Sequence, residues 1–233
     1  MKRFYKKVAA SPVEGANYEV HLDGRPVRTP MRHALQLPGA ALARAVADEW
    51  DAQGEEIDVE TMPMTRIAAT AIDRVRHDRD VYTDQIAAYA ETDLLCYRAP
   101  SPSGLVVLQS KAWQPLLDWS REIYGAVLKA TEGLSPIEQD RDALARLRKA
   151  LDDHDEFVLA AVSVATAASG SLVLALALAQ QRIDAREAYD ASQLDESYQN
   201  QKWGVDPEAQ QRRNVLKADL EASATFLALL REG

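Results

Sequence analysis

The sequence predicts an α+β fold: a small β-rich N-terminal domain with helices, residues 1–95, followed by a mainly α-helical C-terminal bundle, residues 96–233. Three observations carry this. Tyr18, Val20 and Leu22 alternate with Glu19 and His21, the period of a half-buried strand, and Asp23-Gly24 then supplies a two-residue hairpin turn. Beyond Pro38 the apolar residues recur at helical spacing almost to the end. The charge is also divided. Residues 1–40 hold seven Lys or Arg against three acids, a surplus of four positive charges, whereas the whole chain carries −9, which leaves −13 on the rest.

Each element follows from local signals. Arg25–Thr29 returns from the hairpin, with Pro26 suited to an edge because it has no N–H for a central ladder. Ala34–Leu37 can add a strand. Pro38 or Gly39 opens a helix in which Leu42, Val46 and Trp50 share a face, which predicts Trp50 in the core, and Gly54 can end it. Ile57 and Val59 read as a short extended piece. Helices are expected at Thr65–Arg76, with Ile67, Ala68, Ala71, Ile72 and Val75 inward, and at Arg79–Ala90, presenting Tyr82, Ile86 and Tyr89. The boundary between domains is expected within Ala90–Ser103.

Leu105–Tyr124 is helical and interrupted or kinked near Pro115. A strand is expected around Ala126–Leu128. Ser135-Pro136-Ile137-Glu138 has a helix start's serine, proline and glutamate in order. Asp152 or Asp153 can cap the next helix. Asp184 and Glu187 form a capping box, Gly204 supplies a stop after Trp203, and Asp206-Pro207 begins the terminal helix, with Glu208 at its positive end. There is no internal repeat, low-complexity segment or sustained heptad array.

Phe157–Ala179 is uncharged and long enough to cross a bilayer. It reads either as two buried helices meeting at Ser169-Gly170-Ser171 or as a membrane span. No aromatic belt marks its far end and no basic excess marks a flank, which favours the buried pair and no stable membrane insertion.

The residues exclude much chemistry. An acidic chain is a poor partner for nucleic acid. His21, His33, His77 and His154 show no ligand spacing, and Cys96, the only cysteine, has no partner for a disulfide, so no metal site is expected. Cys96 reads as a small hydrophobe. The ten glycines are scattered, so neither a nucleotide loop nor a dinucleotide fingerprint is present, and no cofactor is expected. Acid pairs such as Glu55/Glu56, Asp152/Asp153 and Asp195/Glu196 read mostly as solvated faces or caps. No catalytic residue is assigned, and the chain is not read as an enzyme.

Leu194–Arg213, LDESYQNQKWGVDPEAQQRR, is the most informative stretch. Asp195, Glu196, Gln199, Trp203, Arg212 and Arg213 are the candidate partner-binding residues. Trp203 is either a bundle-end anchor or a contact residue, since tryptophan buries a large area with few rotatable bonds. Arg212 and Arg213 can pair with Asp195 or Glu196, with little energy if exposed. Two other readings compete: an enzyme with an acidic cleft around Asp195, Glu196 and Asp206, and a membrane-associated structural protein using 157–179.

The ordered fragments carry a family resemblance. They are Arg3-Phe4-Tyr5-Lys6, Leu22-Asp23-Gly24-Arg25-Pro26-Val27 with Thr29-Pro30, Glu49-Trp50, Met62-Pro63-Met64-Thr65 with Thr70-Ala71-Ile72-Asp73, and Asp93-Leu94-Leu95-Cys96-Tyr97-Arg98. Trp113 with Pro115-Leu116-Leu117-Asp118-Trp119 follows, then Leu194-Asp195-Glu196 with Gln199, Trp203-Gly204, Asp206, Glu208-Ala209 and Arg212-Arg213. Across nearly its full length the chain resembles the assembly chaperones that protect the alpha subunit of the F-type ATP synthase catalytic head. The resemblance implies a β-rich N-terminal and a helical C-terminal domain, no catalysis, and the unassembled alpha subunit as client. The family's important acid maps onto Glu196, with Asp195 its neighbouring candidate. The chain departs from its relatives where they carry an acid just before Trp-Gly, since it has Gln201-Lys202. It begins directly with the Arg-Phe-Tyr-Lys motif, which implies a bacterial, cytoplasmic member.

Overall fold

The computed structural model describes residues 1–13, 15–133, 135–204 and 206–232, the side chain of Trp203 excepted. The chain forms two compact units. One gathers residues 1–79 with 155–161 and 222–233; the other gathers 80–154 and 162–221. Strands between residues 8 and 38 precede a predominantly helical remainder, the expected α+β class.

In the first unit, β1 (Val8–Pro12), β2 (Asn17–Leu22), β3 (Arg25–Pro26) and β4 (Gln36–Pro38) make an antiparallel sheet. β2 is central, with β1 on one side and β3 and β4 on the other. Val20 and Leu22 are buried as the alternation requires. Asp23 and Gly24 have φ of 50° and 80°, left-handed at both turn positions, and Leu22 pairs with Arg25. Pro26 lies in β3, beside β2. Ala34 is not part of β4 but bridges Arg28 alone.

The helix α1 (Ala40–Asp51) follows Gly39. Leu42 and Val46 are buried, but Trp50 is only half-buried, which corrects its assignment to the core. Its ring meets Tyr5 edge-on at 5.8 Å, and the Tyr5 hydroxyl donates to its carbonyl at 2.6 Å. Val59 is not extended: it opens a 3-10 turn, Val59–Thr61, and is exposed. Helix α2 (Pro63–Thr70) begins ahead of Thr65. The Glu49 carboxylate causes this, accepting from the Met64 N–H (2.6 Å), the Thr65 N–H (2.8 Å) and the Thr65 hydroxyl (2.7 Å). These first-turn amides have no intrahelical partner of their own. The helix continues as a π turn, Ala71–Val75, and the five predicted inward residues are buried.

The π turn carries Asp73. Its carboxylate accepts from the Thr29 hydroxyl (2.6 Å) and the Met31 N–H (3.0 Å), and lies 2.7 Å from His33 Nδ1. Burial raises its pKa, but the bonds from Thr29, His33 and Met31 outweigh that and hold it below the usual value.

In the second unit α3 (Arg79–Ala87) passes into a 3-10 turn, Ala88–Thr92. Thr83, Ile86 and Ala90 are buried; of the residues expected on one face, Ile86 is buried, Tyr82 half-buried and Tyr89 exposed. β5 (Tyr97–Arg98) pairs in parallel with β6 (Thr131–Glu132), beyond the expected Ala126–Leu128. Between them α4 (Ser103–Tyr124) runs through Pro115 and ends at Gly125, φ 68°.

Two expected helix starts are displaced. Residues 135–140 are irregular, and α5 (Arg141–Asp152) starts after Asp140, whose carboxylate accepts from the Asp142 N–H at 2.8 Å and the Ala143 N–H at 3.3 Å. Gln139 holds this segment: its buried side-chain amide bonds both the N–H and the C=O of Lys129, at 2.8 and 2.9 Å. Asp155, rather than Asp152 or Asp153, caps α6 (Glu156–Ser169), accepting from the amides of Phe157 and Val158 at 2.9 Å each.

α6 and α7 (Leu172–Ala179) are the expected pair meeting at Ser169-Gly170-Ser171, and every residue of α7 is buried. Among the described residues no helix is long and apolar enough to cross a membrane, and 157–179, the segment on which the membrane-associated reading stood, is divided between two helices. Asp93 lies fully buried beside this junction. It accepts from the Leu95 N–H (3.0 Å) and the Val173 N–H (3.1 Å), and burial pushes its pKa up to about 6. Cys96 is buried nearby, and burial pushes its thiol up to about 12, as suits an inert packing residue. The last helices are α8 (Ala185–Ser192), with its Asp184/Glu187 capping box, α9 (Leu194–Trp203) and α10 (Pro207–Arg231). Asp206 caps α10 through the amides of Glu208 (3.3 Å) and Ala209 (3.2 Å). Gly204 ends α9 at φ 89°.

Candidate functional site

α9 is a short helix with different surroundings on each face. Asp195 and Tyr198, one turn apart, meet α4. The Gln109 amide donates to Asp195 Oδ1 at 2.7 Å. Tyr198 approaches Gly104 closely: a Cβ there would lie 3.2 Å from the Tyr198 hydroxyl, a contact that a small shift of the ring would have to relieve. Ser197, on another side, accepts from Arg213 Nη2 at 2.7 Å and so ties α9 to α10. Glu196 and Gln199, three apart, share the remaining face and are exposed.

The Gln109 side chain is almost wholly buried and works in two directions. Its carbonyl accepts from the Ala99 N–H at 2.8 Å while its amide donates to Asp195. Its main-chain carbonyl accepts from Arg98 Nη1 at 3.0 Å. Arg98 also donates to the Leu95 carbonyl (2.9 Å), and its guanidinium sits over the Trp113 ring at 5.2 Å. One turn along α4, the buried Trp113 donates from its indole N–H to the Ala191 carbonyl at 2.9 Å, at the end of α8. α4 therefore anchors the α8–α9 corner at two points, Gln109 and Trp113.

This geometry separates the candidate residues. Asp195 is half-buried and engaged with Gln109. Arg213 is half-buried, bonded to Ser197, with its guanidinium 5.9 Å from the Tyr189 ring. The expected pairing of Arg212 or Arg213 with Asp195 or Glu196 is not formed among the described residues; the nearer partners Gln109 and Ser197 take up Asp195 and Arg213. Glu196, Gln199 and Arg212 are exposed. The Trp203 side chain, expected as anchor or contact, lies outside the described residues. Lys202 places its ammonium 4.6 Å from the Tyr198 ring centroid. Gln109 was not among the sequence candidates. It falls within a helix of mixed polarity, LVVLQSKAW, and nothing in that pattern separates it from a solvated glutamine.

The three acids of the expected acidic cleft are not brought together. An acidic cleft would need Asp195, Glu196 and Asp206 turned to one substrate. Asp195 instead binds Gln109, Asp206 caps α10, and Glu196 is exposed. Among the described residues no group of three or more His, Cys, Asp or Glu could hold a metal ion.

Comparison with known proteins places the whole chain. The structure is similar to the crystal structure of Atp12 from Paracoccus denitrificans, with a TM-score of 0.91 and 40% identity over 99% of this chain and 98% of that one. An aspartate-to-lysine variant of the same protein matches with the same TM-score and 39% identity. The Atu1473 protein from Agrobacterium tumefaciens matches with a TM-score of 0.92 and 39% identity, over 98% of this chain and 86% of that one. The mitochondrial protein atp12 of Schizosaccharomyces pombe is 23% identical over 96% of this chain and 81% of its own. The family model described as the ATP12 chaperone protein matches residues 2–121. The chain belongs to the ATP12 chaperone family.

Proposed function

We propose that this chaperone binds the unassembled alpha subunit of the F-type ATP synthase, covers the surface that the beta subunit later buries, and yields it when beta arrives. The alpha subunit as client is what the resemblance of the sequence implies, and membership of the ATP12 chaperone family supports it. The observation that supports a role for α9 is the division of its acids: Asp195 is held by Gln109, whereas the exposed Glu196 shares the outward face with Gln199. In this reading Glu196 and Gln199 contact the client, and Asp195 and Arg213 hold the helix that presents them. Exposed charge at the rim of a contact supplies register and rejects wrong partners more than it supplies affinity. Moderate affinity is what a chaperone that must release its client requires, and competition by beta for the same surface provides the release.

Coexpression with the alpha subunit of the same cell tests this, with and without beta. A soluble complex that dissolves on addition of beta is the expected result. A stable three-way complex with unchanged chaperone affinity would exclude direct displacement, and alpha that aggregates regardless would remove the chaperone reading.

A further inference from the structure

The sheet of the first unit has one side left open. The bonds Asp23 N–H to Lys7 C=O (2.9 Å) and Val13 N–H to Asn17 C=O (2.9 Å) fix the parity of the β1–β2 ladder. With Val8 opposite Leu22 and Ala10 opposite Val20, the odd residues of this stretch turn their main-chain groups toward β2. Val8 and Ala10 therefore turn their N–H and C=O away from the sheet, and among the described residues β1 pairs with no strand but β2. Among the described residues no main-chain or side-chain bond to these outward groups is formed. Pro12, also at an outward position, is placed where a missing N–H costs the ladder nothing.

Exposed edges are commonly guarded by charged side chains within the strand, because an open row of donors and acceptors recruits another chain. β1 reads VAASP and has no charge in it. Lysines stand immediately before it instead: Lys6 and Lys7 are exposed, with Arg25 exposed across the hairpin end. Asp23 is the acid at that end, and it already accepts from the Lys6 N–H (3.2 Å) and the Lys7 N–H (2.9 Å). An edge of this kind selects an extended backbone, and its basic end selects acidic side chains.

We propose that the open edge of β1 takes an extended, acidic strand of the client by β-augmentation, the main chain of Val8 and Ala10 supplying the ladder and Lys6 and Lys7 the charge. The client named is the alpha subunit, so this rests on the function proposed above.

The test is capture of the purified alpha subunit by wild type, by Ala10→Pro and by the pair Lys6→Glu with Lys7→Glu. Ala10→Pro removes an N–H that makes no bond in the ladder, and an edge strand tolerates the fixed φ of the ring, so melting temperature should change far less than capture, which weakens at least tenfold. The lysine pair should weaken capture by a similar factor at low salt and less at high salt. In hydrogen exchange the amides of Val8 and Ala10 should exchange fast in the free chain and slow in the complex, while those of Ala9 and Ser11 are slow in both. If wild type captures alpha but the lysine pair and Ala10→Pro capture it equally well, or Val8 and Ala10 stay fast, the edge proposal is overturned and the chaperone function stands. If wild type does not capture alpha, both fall together. Self-association through β1, abolished by Ala10→Pro, would identify a second copy as the occupant and also overturn the proposal.

Discussion

The Gln109 amide on α4 donates to the Asp195 carboxylate on α9 across 2.7 Å, and by doing so makes two adjacent acids unlike one another. Asp195 is fixed, and Glu196 is exposed to solvent. Stability and client binding should therefore separate at neighbouring positions.

Glu196→Lys should reduce the yield of soluble alpha subunit severalfold. It should leave the unfolding free energy within about 0.5 kcal/mol, the usual range for an exposed substitution. Soluble alpha after coexpression, set against denaturant unfolding of the purified variant, decides this. Normal protection at matched stability would show that Glu196 is not a contact.

Gln109→Leu should behave in the opposite way. It leaves the Ala99 N–H and the half-buried Asp195 carboxylate without their partner, at about 1–3 kcal/mol for such a loss. In a double-mutant cycle with Asp195→Ala the two losses should be less than additive, because they remove one shared bond. Strict additivity would mean that the bond contributes nothing in solution.

Trp113→Phe keeps an aromatic ring beneath Arg98 but deletes the indole donor to the Ala191 carbonyl. An expected loss of about 1 kcal/mol follows from one net hydrogen bond. Thermal or denaturant unfolding reads it, and an unchanged midpoint would show that water replaces the indole.

The two buried aspartates give pH dependences of opposite sign. Asp93 titrates at about 6 in the fold, above the ordinary aspartate value. Between about pH 4 and 6 the folded chain holds a proton that the unfolded chain has lost, so this group's contribution to stability falls as pH rises, by about 3 kcal/mol in all. Asp73 is held below its usual value, so its contribution is present above the unfolded pKa and is lost as pH falls through the folded one. Unfolding of wild type and Asp93→Asn at pH 4.5, 6 and 7.5 isolates the first effect: the variant should gain on wild type as pH rises. A difference constant across that range would contradict it.

What the sequence determined by itself is what local chemistry controls. Asp23-Gly24 made a hairpin because only a few residues tolerate two left-handed positions. Asp184 and Glu187 closed a capping box because both partners lie within one turn. The uncharged run at 157–179 folded into two buried helices around Ser169-Gly170-Ser171. The family was legible too, since its fragments keep their order along the chain.

Tertiary structure alone decided matters that depend on distant partners. Ser135-Pro136-Ile137-Glu138 has every local mark of a helix start, yet Gln139 binds Lys129 and the helix waits for Asp140. Glu49 advances α2 by reaching its first amides from another helix. Asp195 and Glu196 are adjacent carboxylates, and the approach of Gln109, 86 positions away, decides which of them is held. A hydrogen bond is indifferent to sequence separation, so which of the two acids is held and which is left exposed is set where α4 and α9 meet.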